Sequence, residues 1–122
     1  MVSPAEAAKT IRTKNEAERK ALFKRREEAW AEGIRLAKKI LIEHPEALRV
    51  WGFGSTYETW RNYRLDSDID LAAEGGSAYE LLKSVEDSVF KVDVVSLEEI
   101  PPEMAQFIRE QGVLLAEAKN AH

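Results

Sequence analysis

Three aspartates carry the chemistry that this sequence could do. Asp68 and Asp70 stand two apart in Asp66-Ser67-Asp68-Ile69-Asp70-Leu71, where acidic and apolar residues alternate as they do along a strand. That spacing puts both carboxylates on one face, able to converge on a hard cation, and turns Ile69 and Leu71 toward a core. Asp93 lies inside the next apolar run, Phe90-Lys91-Val92-Asp93-Val94-Val95. A lone charge there is costly to bury, and a metal ion would offset the cost. Upstream, Gly54-Ser55 follows an apolar run and opens a segment read as a short helix. Backbone N–H groups and a serine hydroxyl at a helix N-terminus suit phosphate oxygens. Taken singly, Asp-x-Asp reads as a solvated pair and Gly-Ser as a capped turn; their occurrence together, in this order, gives the pattern its weight.

The elements that must position these residues follow from periodicity. From Pro4 to about Glu43 the chain is rich in Ala, Glu, Lys, Arg and Leu, with a single glycine at Gly33. This predicts one long helix, capped by Ser3 with Pro4 at its first position and Glu6 completing a capping box. Phe23, Trp30, Ile34, Ala37 and Leu41 fall at helical spacing and predict its buried stripe, whereas the part before Leu22 has little large apolar surface beyond Ile11. Pro45 ends the helix at His44. His44 there reads as a charge on the helix dipole, and the terminal His122 has no evident role.

A strand over Leu48–Phe53, a short helix over Thr56–Arg64 and a second strand over Asp68–Ala73 are expected next, closing on the Gly75-Gly76 turn. Ser77 caps a helix over Ala78–Asp87 with Tyr79, Leu82 and Val85 inward, and Phe90–Val95 is a third strand. Pro101-Pro102 opens a last helix to Gln111, Gly112 stops it, and Val113–Ala116 returns as a strand. The fold class is α/β (α+β): a small mixed sheet flanked by helices, with a long N-terminal helix. Residues 1–44 form a helical extension and residues 45–122 a single domain.

Composition narrows the function classes. The 122 residues contain no cysteine, so neither a disulfide framework nor a thiolate zinc site is available. No apolar run approaches the ~18 residues of a membrane span and no h-region opens the chain, so a cytoplasmic protein is expected. The net charge of -4 is unevenly spread. Residues 1–44 hold eleven Lys/Arg against seven Asp/Glu, and residues 45–122 hold seven against fifteen. An acidic half suits metal binding and argues against a broad nucleic-acid surface.

With strand-Gly-Ser, Asp66-Ser67-Asp68-Ile69-Asp70-Leu71 and Val92-Asp93-Val94-Val95 in place, the stretch from Val50 to about Leu115 resembles the minimal nucleotidyltransferases of the DNA polymerase β-like superfamily. The resemblance implies the nucleotidyltransferase fold. It further implies that Asp68, Asp70 and Asp93 are the catalytic, metal-binding residues, holding two Mg2+ ions or Mn2+ in their place, and that Gly54, Ser55 and Ser67 hold ATP. Arg61 and Arg64, in the same region, are the cations able to grip triphosphate oxygens. The chain departs from the family at Thr59, where relatives usually carry glycine, and in a longer connection from Ser55 to Asp68. Trp60, in this connection, is expected to be half-exposed near the mouth of the site.

Small members of the family resemble antitoxins that transfer AMP to a tyrosine of a HEPN-type toxin. That is the leading expectation for this chain. Two others stand beside it: a transferase for a small hydroxyl compound such as an aminoglycoside, with the site walled by a second copy in a homo-oligomer, and a non-catalytic subunit that neutralises its partner by contact alone.

Overall fold

The computed structural model describes residues 3–121, apart from the side chains of residues 10 and 11, so Ile11 and His122 lie outside what is described. Helix α1 spans Pro4–Glu43 without interruption, and Ser3 caps it by accepting a hydrogen bond from the Glu6 N–H. Strand β1 (Arg49–Phe53) pairs antiparallel with β2 (Ile69–Glu74) on one side and with β4 (Val113–Glu117) on the other. Strand β3 (Val92–Ser96) adds parallel to β2, giving a mixed sheet in the order β3-β2-β1-β4.

Alternation along the strands splits the core between the two faces of this sheet. Val50, Ile69, Leu71 and Ala73 point to one face and pack with Ala29, Leu36, Ala37 and Ile40 of α1. Trp51, Ala72 and Leu97 occupy the other face, under Ala105 and Ile108 of helix α3 (Pro102–Gln111). The buried stripe of α1 is therefore rotated from the expected one. Phe23 is 67% exposed, and Trp30, Ile34 and Leu41 are only partly buried. The seat belongs to Ala29, Gly33, Leu36, Ala37 and Ile40, because the small residues let the helix backbone approach the sheet and the Tyr57 ring.

Gly33 has a specific reason to be glycine. A Cβ there would collide with the Tyr57 hydroxyl, and one at Gly52 would collide with the Tyr57 ring, so these two glycines make the slot that Tyr57 fills. Its hydroxyl donates to the Trp30 carbonyl at 3.0 Å, and the Trp30 ring lies 4.6 Å away at 54°. Burial pushes the Tyr57 phenol well above its ordinary range, as expected for a neutral hydrogen-bonded hydroxyl.

Two expected helices need correction. Thr56–Arg64 is a series of turns, not a helix: Glu58 N–H bonds back to the Gly54 carbonyl at 2.8 Å, Arg61 N–H to the Glu58 carbonyl, and no regular ladder follows. Tertiary anchors replace that ladder, since Tyr57 is in its slot and Arg26 Nε donates to the Thr56 carbonyl. Helix α2 runs only over Ala78–Leu81 and tightens into a 3-10 turn at Leu82–Ser84. Leu81, Ser84 and Val85 face inward there, while Tyr79 and Leu82 are exposed. His44 sits beside the Ser84 hydroxyl at 2.8 Å, which ties the end of α1 to this turn. Gly112 ends α3 with an extended backbone, φ -77° and ψ 174°; its lack of a side chain serves the close approach of the Ile108 and Gly52 carbonyls.

Gly33→Ala discriminates this packing from a merely solvated helix. Alanine raises intrinsic helix propensity by roughly 1 kcal/mol, yet the collision with Tyr57 should outweigh it and lower stability by about 1–3 kcal/mol in urea unfolding. A more stable variant would show that Tyr57 does not occupy the slot.

Candidate active site

The sheet register brings the acidic residues into one row. Phe53 on β1 lies opposite Asp70 on β2, and Asp70 opposite Asp93 on β3. Asp68 sits just before β2, on the same side as Asp70 by the alternation of the strand. This is the face that carries Ala72 and Val95 beneath α3, but at its other end, where Asp93 is exposed and Asp70 half-buried. The parallel pairing of β2 and β3 makes two of the predicted residues direct neighbours.

Gly54 closes the row from above. Its φ of +74° lies in the left-handed region, and a Cβ there would strike the Asp70 carboxylate. Backbone and carboxylate are thus packed directly together. Ser55, half-buried, follows in the same turn. Gly54-Ser55 opens a single turn and not a helix, so phosphate binding there would rest on a few N–H groups without the dipole of a long helix.

Charge accumulates at this spot. Asp70 has its carboxyl pushed up to about 6, first by burial and then by the neighbouring charges of Asp93, Asp68 and Glu58, with Arg61 pulling the other way. Asp68 is turned toward Lys91, whose Nζ lies 3.6 Å from Oδ2, and its backbone carbonyl accepts from the Thr56 hydroxyl. Among the described residues no group of three or more Asp, Glu or His is already close enough to hold a metal ion. The donor set nonetheless fits a hard divalent ion, since it is all carboxylate oxygen and its most buried member is held against its own ionisation by burial and by its neighbours.

The remaining predicted residues fall around the row. Arg61 is half exposed and forms an ion pair with Glu58 through Nε at 3.0 Å. Arg64 is exposed and loosely faces Asp66. The Ser67 hydroxyl accepts from the Arg64 N–H, which closes the loop before Asp68. Trp60 is 59% exposed, as expected for a residue in this connection. Thr59 is exposed and, among the described residues, no non-glycine has positive φ, so the turn does not require glycine at that place. Glu58 was not legible as a site residue; its only sequence signal is being the one acidic residue between Gly54 and Asp66. An apolar groove of about 350 Å³ lies between α1 and this connection, lined by Phe23, Trp30, Ile34 and Thr59, and none of the three aspartates lines it.

The raised Asp70 carboxyl has a consequence for stability without metal. A carboxyl whose folded pKa exceeds its unfolded value binds more protons when folded, so stability falls as pH rises from the ordinary 3.8 through about 6. In chelator, Asp70→Asn should melt together with the wild type near pH 4 and progressively above it through pH 6, with a constant gap beyond. A gap independent of pH would show that Asp70 is not held against ionisation.

No family model matches the chain, and no curated protein does. Solved structures do. A toxin–antitoxin complex with AMP-PNP matches at 27% identity over 70% of this chain and 74% of its own, with a TM-score of 0.53. An MntA–HepT toxin–antitoxin complex matches at 22% identity over 73% and 74%, TM-score 0.52. The complex of tri-AMPylated Shewanella oneidensis HEPN toxin with its MNT antitoxin matches at 22% over 77% and 74%, TM-score 0.50. The last of these pairs an MNT antitoxin with a HEPN toxin, and the four-stranded mixed sheet with its long N-terminal helix has an MNT-like antitoxin fold.

Proposed function

We propose that this chain is an antitoxin of the MNT kind that moves AMP from ATP to a hydroxyl of a HEPN-type partner. One observation carries the reading: Asp70, in register with Asp93 and two residues from Asp68, packed against the positive-φ glycine of the Gly54-Ser55 turn. Asp68, Asp70 and Asp93 would hold Mg2+ or Mn2+, which when bound lowers the pKa of the attacking hydroxyl and neutralises the leaving pyrophosphate. Gly54 and Ser55 would hold phosphate oxygens through backbone N–H and hydroxyl, with Arg61 opposite. Ser67, committed to the loop, would act by shaping the approach to Asp68.

The partner is proposed from the neighbours, which are toxin–antitoxin complexes, one of them with an AMPylated HEPN toxin. Openness of the site agrees with it. Asp93 is exposed and Asp70 half-buried, so a protein acceptor can approach the row. The lack of any helix among the described residues long and apolar enough to cross a membrane is compatible with such a partner. Residues 1–44 are proposed as an extension whose first half serves that partner. From Ala5 to Ala21 every described side chain is exposed, and residues 1–44 carry the excess of positive charge.

Incubation with ATP labelled on the α-phosphate, magnesium and a co-expressed HEPN-domain protein should label the partner. Asp68→Ala with Asp70→Ala should reduce labelling at least a hundredfold while leaving the melting temperature, in chelator, the same or higher. Labelling at an unchanged rate would place the site elsewhere. Removal of residues 1–20 should leave ATP binding within about twofold and weaken partner association roughly tenfold, since a charged arm speeds encounter and fixes orientation. Undiminished association of the truncated chain would refute a role for the arm.

A further inference from the structure

Glu58 is a buried charge with an incomplete set of partners. It is 2% exposed, one carboxylate oxygen faces Arg61 Nε at 3.0 Å, and the other, Oε1, is buried without a partner. The turn that carries it is already held by its backbone N–H on Gly54, by Tyr57 in its slot and by Arg26 on Thr56. A buried ion pair of this kind rarely adds stability over an apolar pair, because desolvation cancels much of the attraction. A half-unpaired one adds less still.

Arg61, at the other end of the pair, is 50% exposed on a segment without regular structure. A free arginine there would spread over many rotamers. Glu58, buried, pairs with the guanidinium at Nε and so restrains its position, leaving its outer nitrogens for a second planar or tetrahedral anion. Arg61 belongs to the connection that opens at Gly54, which packs on the Asp70 carboxylate, and its charge acts on that carboxyl. Triphosphate oxygens bound at that row would meet the outer nitrogens.

We infer that Glu58 is a positioning residue of the nucleotide site: it holds Arg61 so that the guanidinium grips the β- and γ-phosphates of a nucleoside triphosphate. The inference rests on the nucleotide reading above and extends it to a residue outside the carboxylate row. It assigns to the buried pair a preference for triphosphate over monophosphate.

Titration calorimetry on the full chain with Mg-ATP and with AMP tests it, using Glu58→Gln, Arg61→Gln and the double variant. Glu58→Gln and Arg61→Gln should each weaken ATP by roughly five- to twentyfold and change AMP less than twofold. The double variant should bind ATP no more weakly than Arg61→Gln alone, since one residue acts through the other. Unchanged ATP binding in Glu58→Gln, equal losses for ATP and AMP, or multiplicative losses in the double variant would each overturn the inference. Should Glu58→Gln fail to fold, Arg61→Lys decides: a positioned planar grip predicts a loss like that of Arg61→Gln, and retained ATP affinity refutes it. A wild-type chain that binds no ATP refutes the nucleotide reading and this inference together, whereas wild-type binding with an indifferent Glu58→Gln refutes the inference alone.

Discussion

The seating of Tyr57 between two glycines is the contact on which the rest of the arrangement depends. Gly33 opens α1 and Gly52 opens β1, and the ring that fills the gap locks helix to sheet just where β1 ends. Within three residues on either side lie Gly54, Ser55 and Glu58. A turn without a helical ladder can hold a defined shape only if something outside it does the holding, and Tyr57 supplies that. The site is consequently assembled from a strand end, a pinned turn and two neighbouring strands, with no long loop ordering itself alone.

A second constraint works against the first. Packing brings Asp68, Asp70 and Asp93 onto one face of a sheet, with Glu58 in the turn above, and their mutual repulsion is part of what raises the Asp70 carboxyl. Selection for stability alone would remove such a cluster, since ionised neighbours in a half-buried place weaken the fold. The gain has to come from a ligand that binds the native state, by mass action. Local strain in the metal-free protein and affinity for a cation with its polyphosphate are two aspects of one charge distribution.

Much of this was legible in the residues. The ends of α1 follow from Ser3-Pro4 and His44-Pro45, and the strands from apolar runs broken by glycine or proline, because each signal is local. The convergence of Asp70 and Asp93 was legible as a shared pattern, but their direct pairing depends on β2 and β3 being parallel and in that register, which sequence spacing does not determine. The stripe of α1 was misread since Phe23, Trp30, Ile34 and Leu41 are larger than Ala29 and Gly33; close approach favoured the small face. Thr56–Arg64 was read as a short helix yet forms turns, because Tyr57 and Thr56 are drawn away to α1 and to Asp68. Both partners lie twelve or more residues away, outside any short window of sequence.

The central claim is that the acidic row under Gly54 is a divalent-cation and triphosphate site. A crystal structure with Mn2+ and a non-hydrolysable ATP analogue, read by anomalous scattering, tests it most directly. The account predicts manganese at roughly 2.0–2.3 Å from carboxylate oxygens of Asp70 and at least one of Asp68 and Asp93, with triphosphate oxygens against the Gly54-Ser55 backbone. Manganese and nucleotide bound elsewhere, with Asp70 still facing Gly54 alone, would contradict it.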